Sequence, residues 1–220
     1  AETRDREEYT VIDFEVGRDI GFGGLKSRVT AGLRHAQLES TTRLEVDGIP
    51  DWVIPDEFAF FMPLTHHLLE ARLDAAREFE GTGPVVGWDA TKTLFGGEET
   101  GEFGVEWKLR AGILFGKQDT AFNGEASSTY YNGPKYGQQH RVPAGPADVF
   151  AAPETRSRSV TVPVADLSLG LAYEMRRLKV SAGYRWERYF DALDAGFYEQ
   201  EDADRTIDGP YFKLAVGFGG

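Results

Sequence analysis

Glu106, Lys108 and Arg110 alternate with Trp107, Leu109 and Ala111, and the alternation runs on through Gly112, Ile113 and Phe115. Successive side chains leave an extended backbone on opposite faces. Three charges of both signs therefore share one face, while the other is apolar and bounded by aromatic rings. Charges in such a row either screen ions in a water-filled passage or pair with charges on neighbouring strands and plug a narrow one. Further short segments set Asp13, Glu15, Arg28, Arg34, Asp89, Asp166, Glu174, Arg185, Glu187 and Lys213 opposite apolar residues in the same manner. Arg28, Arg34, Lys108, Arg110 and Arg185, facing Asp13, Glu15 and Glu106, are the best candidates for either role.

Other clusters invite a chemical reading and favour a plainer one. His66 and His67 lie near Glu70, but His67 and Glu70 fall on opposite faces of a strand, so a solvated pair is the better account. Gly21-Phe22-Gly23-Gly24 reads as a turn, because no G-K-[ST] follows it. Neither a G-x-S-x-G elbow nor an H-E-x-x-H pair occurs. The run Glu199–Asp204 is acidic enough to attract Ca²⁺ yet lacks the EF-hand ligand spacing. Residues 123–158 hold Tyr130, Tyr131, Tyr136 and His140, and read as a passive surface loop ahead of a glycan-binding or lumen-folded one. No catalytic residue, metal ligand or cofactor is expected.

The elements that would hold these residues are strands. Seven segments show period-two alternation: Ile12–Val16, Arg28–Arg34, 83–90, Glu106–Phe115, Asp166–Glu174, Val180–Glu187 and Tyr211–Phe218. Short connections (Arg18–Gly24, Phe95–Gly101, Glu174–Arg177) alternate with long ones (Asp47–Thr65, Gln118–Ser157, Arg188–Thr206). That layout matches tight periplasmic turns and long extracellular loops. Leu64–Phe79 alternates too and is read as an outer extension of the third strand. Its apolar positions are odd before Gly81-Thr82-Gly83-Pro84 and even after, which calls for a bulge or kink there. The expected fold is an all-β, antiparallel transmembrane barrel of about 8 strands, one domain over residues 1–220. An odd visible count is explained most simply by one or more N-terminal strands beyond this chain; a further strand within Leu64–Phe79, or one in Leu114–Thr120 and the following loop, would also make the number even.

Composition agrees. The chain of 220 residues carries 36 acidic and 24 basic side chains, a formal net charge of −12. An acidic chain without a basic block is a poor nucleic-acid binder. It has no cysteine, which removes thiol catalysis and disulfides. No apolar run of about 18 residues exists, so no transmembrane helix is expected. The mean hydropathy of −0.39 still permits a barrel, since only alternate residues meet lipid. Trp88, Trp107, Phe115, Tyr173, Tyr184, Trp186 and Phe218 lie near the ends of the apolar bands and read as an interfacial girdle. Acidic excess in the outer loops predicts a weak cation preference.

Three stretches carry a family likeness: Phe79-Glu80-Gly81-Thr82-Gly83-Pro84-Val85-Val86-Gly87-Trp88-Asp89, then Ser181–Phe190 with its G-Y-R-W-E core, then Asp208-Gly209-Pro210-Tyr211-Phe212-Lys213-Leu214. From Tyr9 to Gly220 the chain resembles the Legionella-type major outer-membrane protein family of pore-forming barrels, in particular its C-terminal portion. The resemblance implies a Gram-negative outer membrane and passive diffusion of small hydrophilic solutes or ions. Its partners would be lipids, lipopolysaccharide and further copies of the chain. The alternatives are a plugged barrel with a structural or adhesive role, and, less favoured, a lipid-modifying barrel enzyme. The Gly219-Gly220 ending departs from the aromatic terminus usual in such barrels.

Overall fold

A computed structural model describes all residues except 23, 49–64, 98–99, 133–141, 144–147, 177, 197–198 and 217–220. The described chain is antiparallel β throughout. Its elements are β1 (Glu2–Phe22), β2 (Leu25–Gly48), β3 (Thr65–Gly97), β4 (Gly101–Asn132), β5 (Val142–Pro143), β6 (Asp148–Met175), β7 (Leu178–Asp194) and β8 (Asp202–Val216). The sheet order is β1-β2-β3-β4-β6-β7-β8, with the two-residue β5 beside β4. Each of the seven alternating segments falls in one long strand, the last of them as far as Val216, beyond which Phe218 lies outside the described residues, and Leu64–Phe79 joins β3 as expected, from Thr65 onward.

Much of what reads as long loop in the sequence is strand. β4 continues to Asn132, β6 begins at Asp148, and β7 and β8 leave only residues 195–201 between them. A membrane strand needs about 9–11 residues. β3 and β4, at 33 and 32 residues, therefore continue well past a bilayer's hydrocarbon. Short connections fall where expected. Gly24 and Gly101 hold φ of 75° and 90°, and Arg176 adopts a left-handed 53° between β6 and β7. At Gly101 a Cβ would also lie 2.3 Å from the Tyr173 hydroxyl, so glycine is required there twice over. β7 and β8 pair in register from Leu178↔Val216 to Tyr189↔Arg205, then shift before Leu193↔Ala203. Asp191, at φ 55°, lies in that irregularity.

Contacts group the chain into two units. Unit 1 is Ala1–Glu8, Glu39–Arg77 and Asp119–Ser157; unit 2 is Tyr9–Leu38, Glu78–Gln118 and Arg158–Gly220. Unit 2 curls, because side chains from strands that are not neighbours in the sheet meet on one face: Arg34 of β2 reaches Glu187 of β7. Its core is Ala36, Leu38, Phe79, Leu114, Val162, Val164, Tyr189, Ala192 and Leu193. Its opposite face presents Phe14, Val29, Leu33, Val86, Ile113, Leu169 and Phe212 to the surroundings, from 44% to 73% exposed.

The expected bulge at Gly81–Pro84 has another explanation. Ala75, Phe79, Gly81, Gly83, Val85 and Gly87 are all buried, so the same odd-numbered face of β3 points inward throughout. What changes is the chemistry of that face: leucine and alanine before the glycines, glycine and Asp89 after.

Candidate functional site

The inner face of unit 2 gathers the charged residues singled out by alternation. Arg34 has no solvent exposure, yet its guanidinium is satisfied on every side. Nε and Nη2 each donate to Asp13 at 2.7 Å, Nη1 donates to Glu187 at 2.5 Å, and Nη2 lies 3.4 Å from Asp166. Arg185 donates to the same Asp166 at 2.7 and 3.1 Å and approaches Glu187 at 3.0 Å. The Tyr189 hydroxyl donates to Glu187 at 2.8 Å. Burying a charge is tolerable only when it is paired and hydrogen-bonded, and this cluster sets two arginines against three carboxylates.

A second set lies across β1, β3 and β4. Arg110 grips Glu15 with two hydrogen bonds, of 2.7 and 2.9 Å. Asp89 is 3.7 Å from Arg110 and 3.8 Å from Lys108. A third set joins β4, β7 and β8: Lys179 pairs with Glu106 at 2.8 Å, and the Tyr211 hydroxyl donates to Glu106 at 3.1 Å. Gly170 leaves the passage for that phenol; a Cβ there would sit 2.3 Å from the Tyr211 oxygen. Near the short turns Lys26 pairs with Glu102 at 2.6 Å and Glu174 at 3.5 Å. Arg28 is likewise exposed and reaches Asp19 only at 4.0 Å.

Two cavities open on this face. One of about 560 Å³ includes Lys26, Arg28, Asp89, Glu106, Lys108, Lys179 and Lys213 in its lining. The other, about 340 Å³, borders Asp13, Lys108, Arg110, Asp166, Arg185, Tyr211 and Lys213. The candidates are thus graded: Arg34 and Glu187 are buried in the network, Asp13, Asp166 and Arg185 join it while bordering the smaller cavity, and Lys108 and Lys213 flank both cavities.

The aromatic candidates do not all lie outward, since Trp107 lines the larger cavity. Phe115, Tyr173 and Tyr184 are exposed, Trp186 is half-buried, and Phe218 lies outside the described residues. Trp88 and Trp107 meet edge-to-face, centroids 5.9 Å apart, and the Trp88 indole donates to Ser27 at 2.6 Å. Sequence reasoning missed Lys26, Lys179 and Tyr189. All three share the parity of residues it did assign, so extending each alternation by one step reaches them. The side chains of His66, His67 and His140 lie outside what is described. His35 Nδ1 sits 3.0 Å from the Thr82 hydroxyl.

The family model described as "Legionella pneumophila major outer membrane protein precursor" matches residues 1–218. The likeness therefore takes in the residues before Tyr9 and covers essentially the whole chain. A search of curated proteins returns no match.

Proposed function

The chain belongs to the Legionella major outer membrane protein family and is a protein of a Gram-negative outer membrane; from that membership we infer that it forms the wall of a pore for passive diffusion of small hydrophilic solutes or ions. One observation carries the reading. Unit 2 exposes large apolar side chains on all seven long strands, while its inner face carries charges of both signs. Soluble proteins rarely expose contiguous apolar patches beyond a few hundred Å², whereas a lipid-facing wall requires one. The inner charges then line the path, with Lys108, Arg110, Glu106, Asp13, Glu15, Arg28 and Lys213 touching solute and the Arg34 cluster setting the constriction. No step requires catalysis.

A second reading has its own observation. Arg34, Phe79, Leu114 and Tyr189 are completely buried, as expected of a barrel closed at that level. The plugged, structural alternative therefore stands beside the pore. Refolded protein in planar bilayers separates them. The pore reading expects discrete conductance steps, and Arg34→Ala enlarging them. Correctly folded protein that stays silent, with no sugar uptake in liposome swelling, would overturn it in favour of the plug.

A further inference from the structure

The net charge of −12 suggests that any solute site should favour cations. The larger cavity of unit 2 has the opposite sign. Lys26, Arg28, Lys108, Lys179 and Lys213 line it against Asp19, Asp89 and Glu106. The carboxylates are also mostly committed: Glu106 holds Lys179 and Tyr211, and Asp89 is shared between Arg110 and Lys108. Lys213 differs from its neighbours. Among the described residues no carboxylate lies within ion-pair distance of its ammonium, and the charges around it are Lys108 and Lys179 together with Glu106, which is already held by Lys179. Lys213 and Lys108 line both cavities, so the two side chains stand between neighbouring open spaces. Like charges held together on an inner face repel unless an anion comes between them.

We propose that Lys108 and Lys213, with Lys179 behind them, form a binding site for a phosphate group carried by a small solute. The donor set selects this chemistry. A carboxylate is best held by a free guanidinium fork, but Arg110 is already gripped by Glu15 and Arg185 by Asp166. Of the larger cavity's cations Arg28 stays loosely paired, 4.0 Å from Asp19; the others are lysine ammoniums, point charges with several donors each that suit a multivalent tetrahedral anion. A volume of about 560 Å³ exceeds what inorganic phosphate needs and leaves room for an attached polar moiety. The lining includes Gly21 and Leu25, beside the β1–β2 turn, so the site lies at the short-turn end of unit 2. It faces away from the apolar outer surface, which favours a diffusing solute over a lipid headgroup. The site rests on the wall reading only for which face is interior, and not on conductance.

The test uses the full chain refolded in a maltoside detergent, with inorganic phosphate as probe and chloride balancing ionic strength. Calorimetric titration should show saturable phosphate binding, weakened about tenfold or more by Lys213→Gln and by Lys108→Gln, and unchanged by Lys92→Gln on the exposed face of β3. Independently of any variant, phosphate should slow acetylation of Lys213 and Lys108 in the wild-type protein but not that of Lys92. Absence of both saturable binding and protection overturns the proposal, as does binding that both inner variants retain. Acetate bound as tightly as phosphate overturns the choice of ligand class. Protection that appears only with anionic phospholipid replaces the solute with a headgroup. A silent bilayer alongside intact phosphate binding would remove the pore and leave this site standing.

Discussion

In unit 2 the exposed face of β2 carries Val29 and Leu33; in unit 1 the exposed face of the same strand carries Glu39, Arg43, Glu45 and Asp47. The inner face changes in the opposite sense, from Thr30 and Arg34 to Leu44 and Val46. β3 repeats the exchange: Val86 is exposed in unit 2, and Glu70 and Arg72 in unit 1, where Leu69, Ala71 and Leu73 turn inward. β4 repeats it with Leu109, Ile113 and Phe115 exposed in unit 2 and Asn123 and Glu125 in unit 1, where Phe122 is buried. Strand geometry is continuous while the chemistry of its two faces is swapped. A sheet in water hides its apolar face, and one in hydrocarbon must display it and satisfy its charges within. On the wall reading, the exchange separates a unit suited to lipid from one suited to water.

The largest effect that sharpens this contrast comes from arginines of the two units. Arg34→Ala would strip Asp13 of its hydrogen-bond partner and leave the buried Asp166 and Glu187 to Arg185 alone among the cluster's cations, a loss of about 3–5 kcal/mol. Arg43 in unit 1 is half exposed and pairs with Asp74 at 2.6 Å; Arg43→Ala should cost no more than about 1 kcal/mol. Urea unfolding in lipid vesicles, followed by tryptophan fluorescence, measures both. Equal losses would break the distinction between a sealed interior and a solvated one. The next effect concerns the outer faces. Leu169, 57% exposed on β6, should lose about 2–4 kcal/mol in a bilayer when replaced by arginine. Thr41→Arg, on the exposed face of β2 in unit 1, should change stability little. If Leu169→Arg is equally silent in vesicles, unit 2 does not face lipid.

How much of this was legible beforehand depended on whether a residue's face or its surroundings had to be known. Period two puts Arg34, Arg110 and Glu187 on the polar side of their strands, because pleating alone fixes the side. It misled at Gly81–Pro84, where odd apolar residues give way to even ones. The alternation was read as though lipid lay on one side along the entire strand, so a change of solvent looked like a change of register. Partners were out of reach for a different reason. Arg34 meets Glu187 across a separation of 153 residues, and only the curl of the sheet brings them together. The split between sealed cluster and cavity was equally hidden, since Arg34 and Lys213 follow the same pattern and differ only in whether a carboxylate stands opposite. Lys26 and Lys179 were missed because each alternation was stopped one step short of its turn.

Smaller effects test the edges of the apolar zone. Ser27→Ala removes the acceptor of the Trp88 indole, which packs on Trp107. A loss of about 0.5–1.5 kcal/mol is expected, with a change in Trp88 emission in vesicles. No change in either would mean that the pair is not anchored through Ser27.

The smallest effect is a titration, and it belongs to unit 1 alone. Asp74 accepts from Arg43 Nε at 2.6 Å and Arg72 Nε at 2.7 Å. Chiefly through Arg43, and then Arg72, those hydrogen bonds hold its carboxyl below the ordinary aspartate value of 3.8. A depressed folded value means that the stabilisation is fully present above the unfolded value and disappears only as pH falls through the folded one. Unit 1 should therefore keep this contact from neutral pH down to about 4, near the ordinary aspartate value, and release it only in stronger acid. A carboxyl-carbon NMR titration of Asp74 should give a midpoint below that of a free aspartate, moving upward in Arg43→Ala and less in Arg72→Ala. A normal midpoint in the wild-type protein would mean that water screens these pairs completely, and would make the outer face of unit 1 a set of independent charges, in sharper contrast still to the interlocked interior of unit 2.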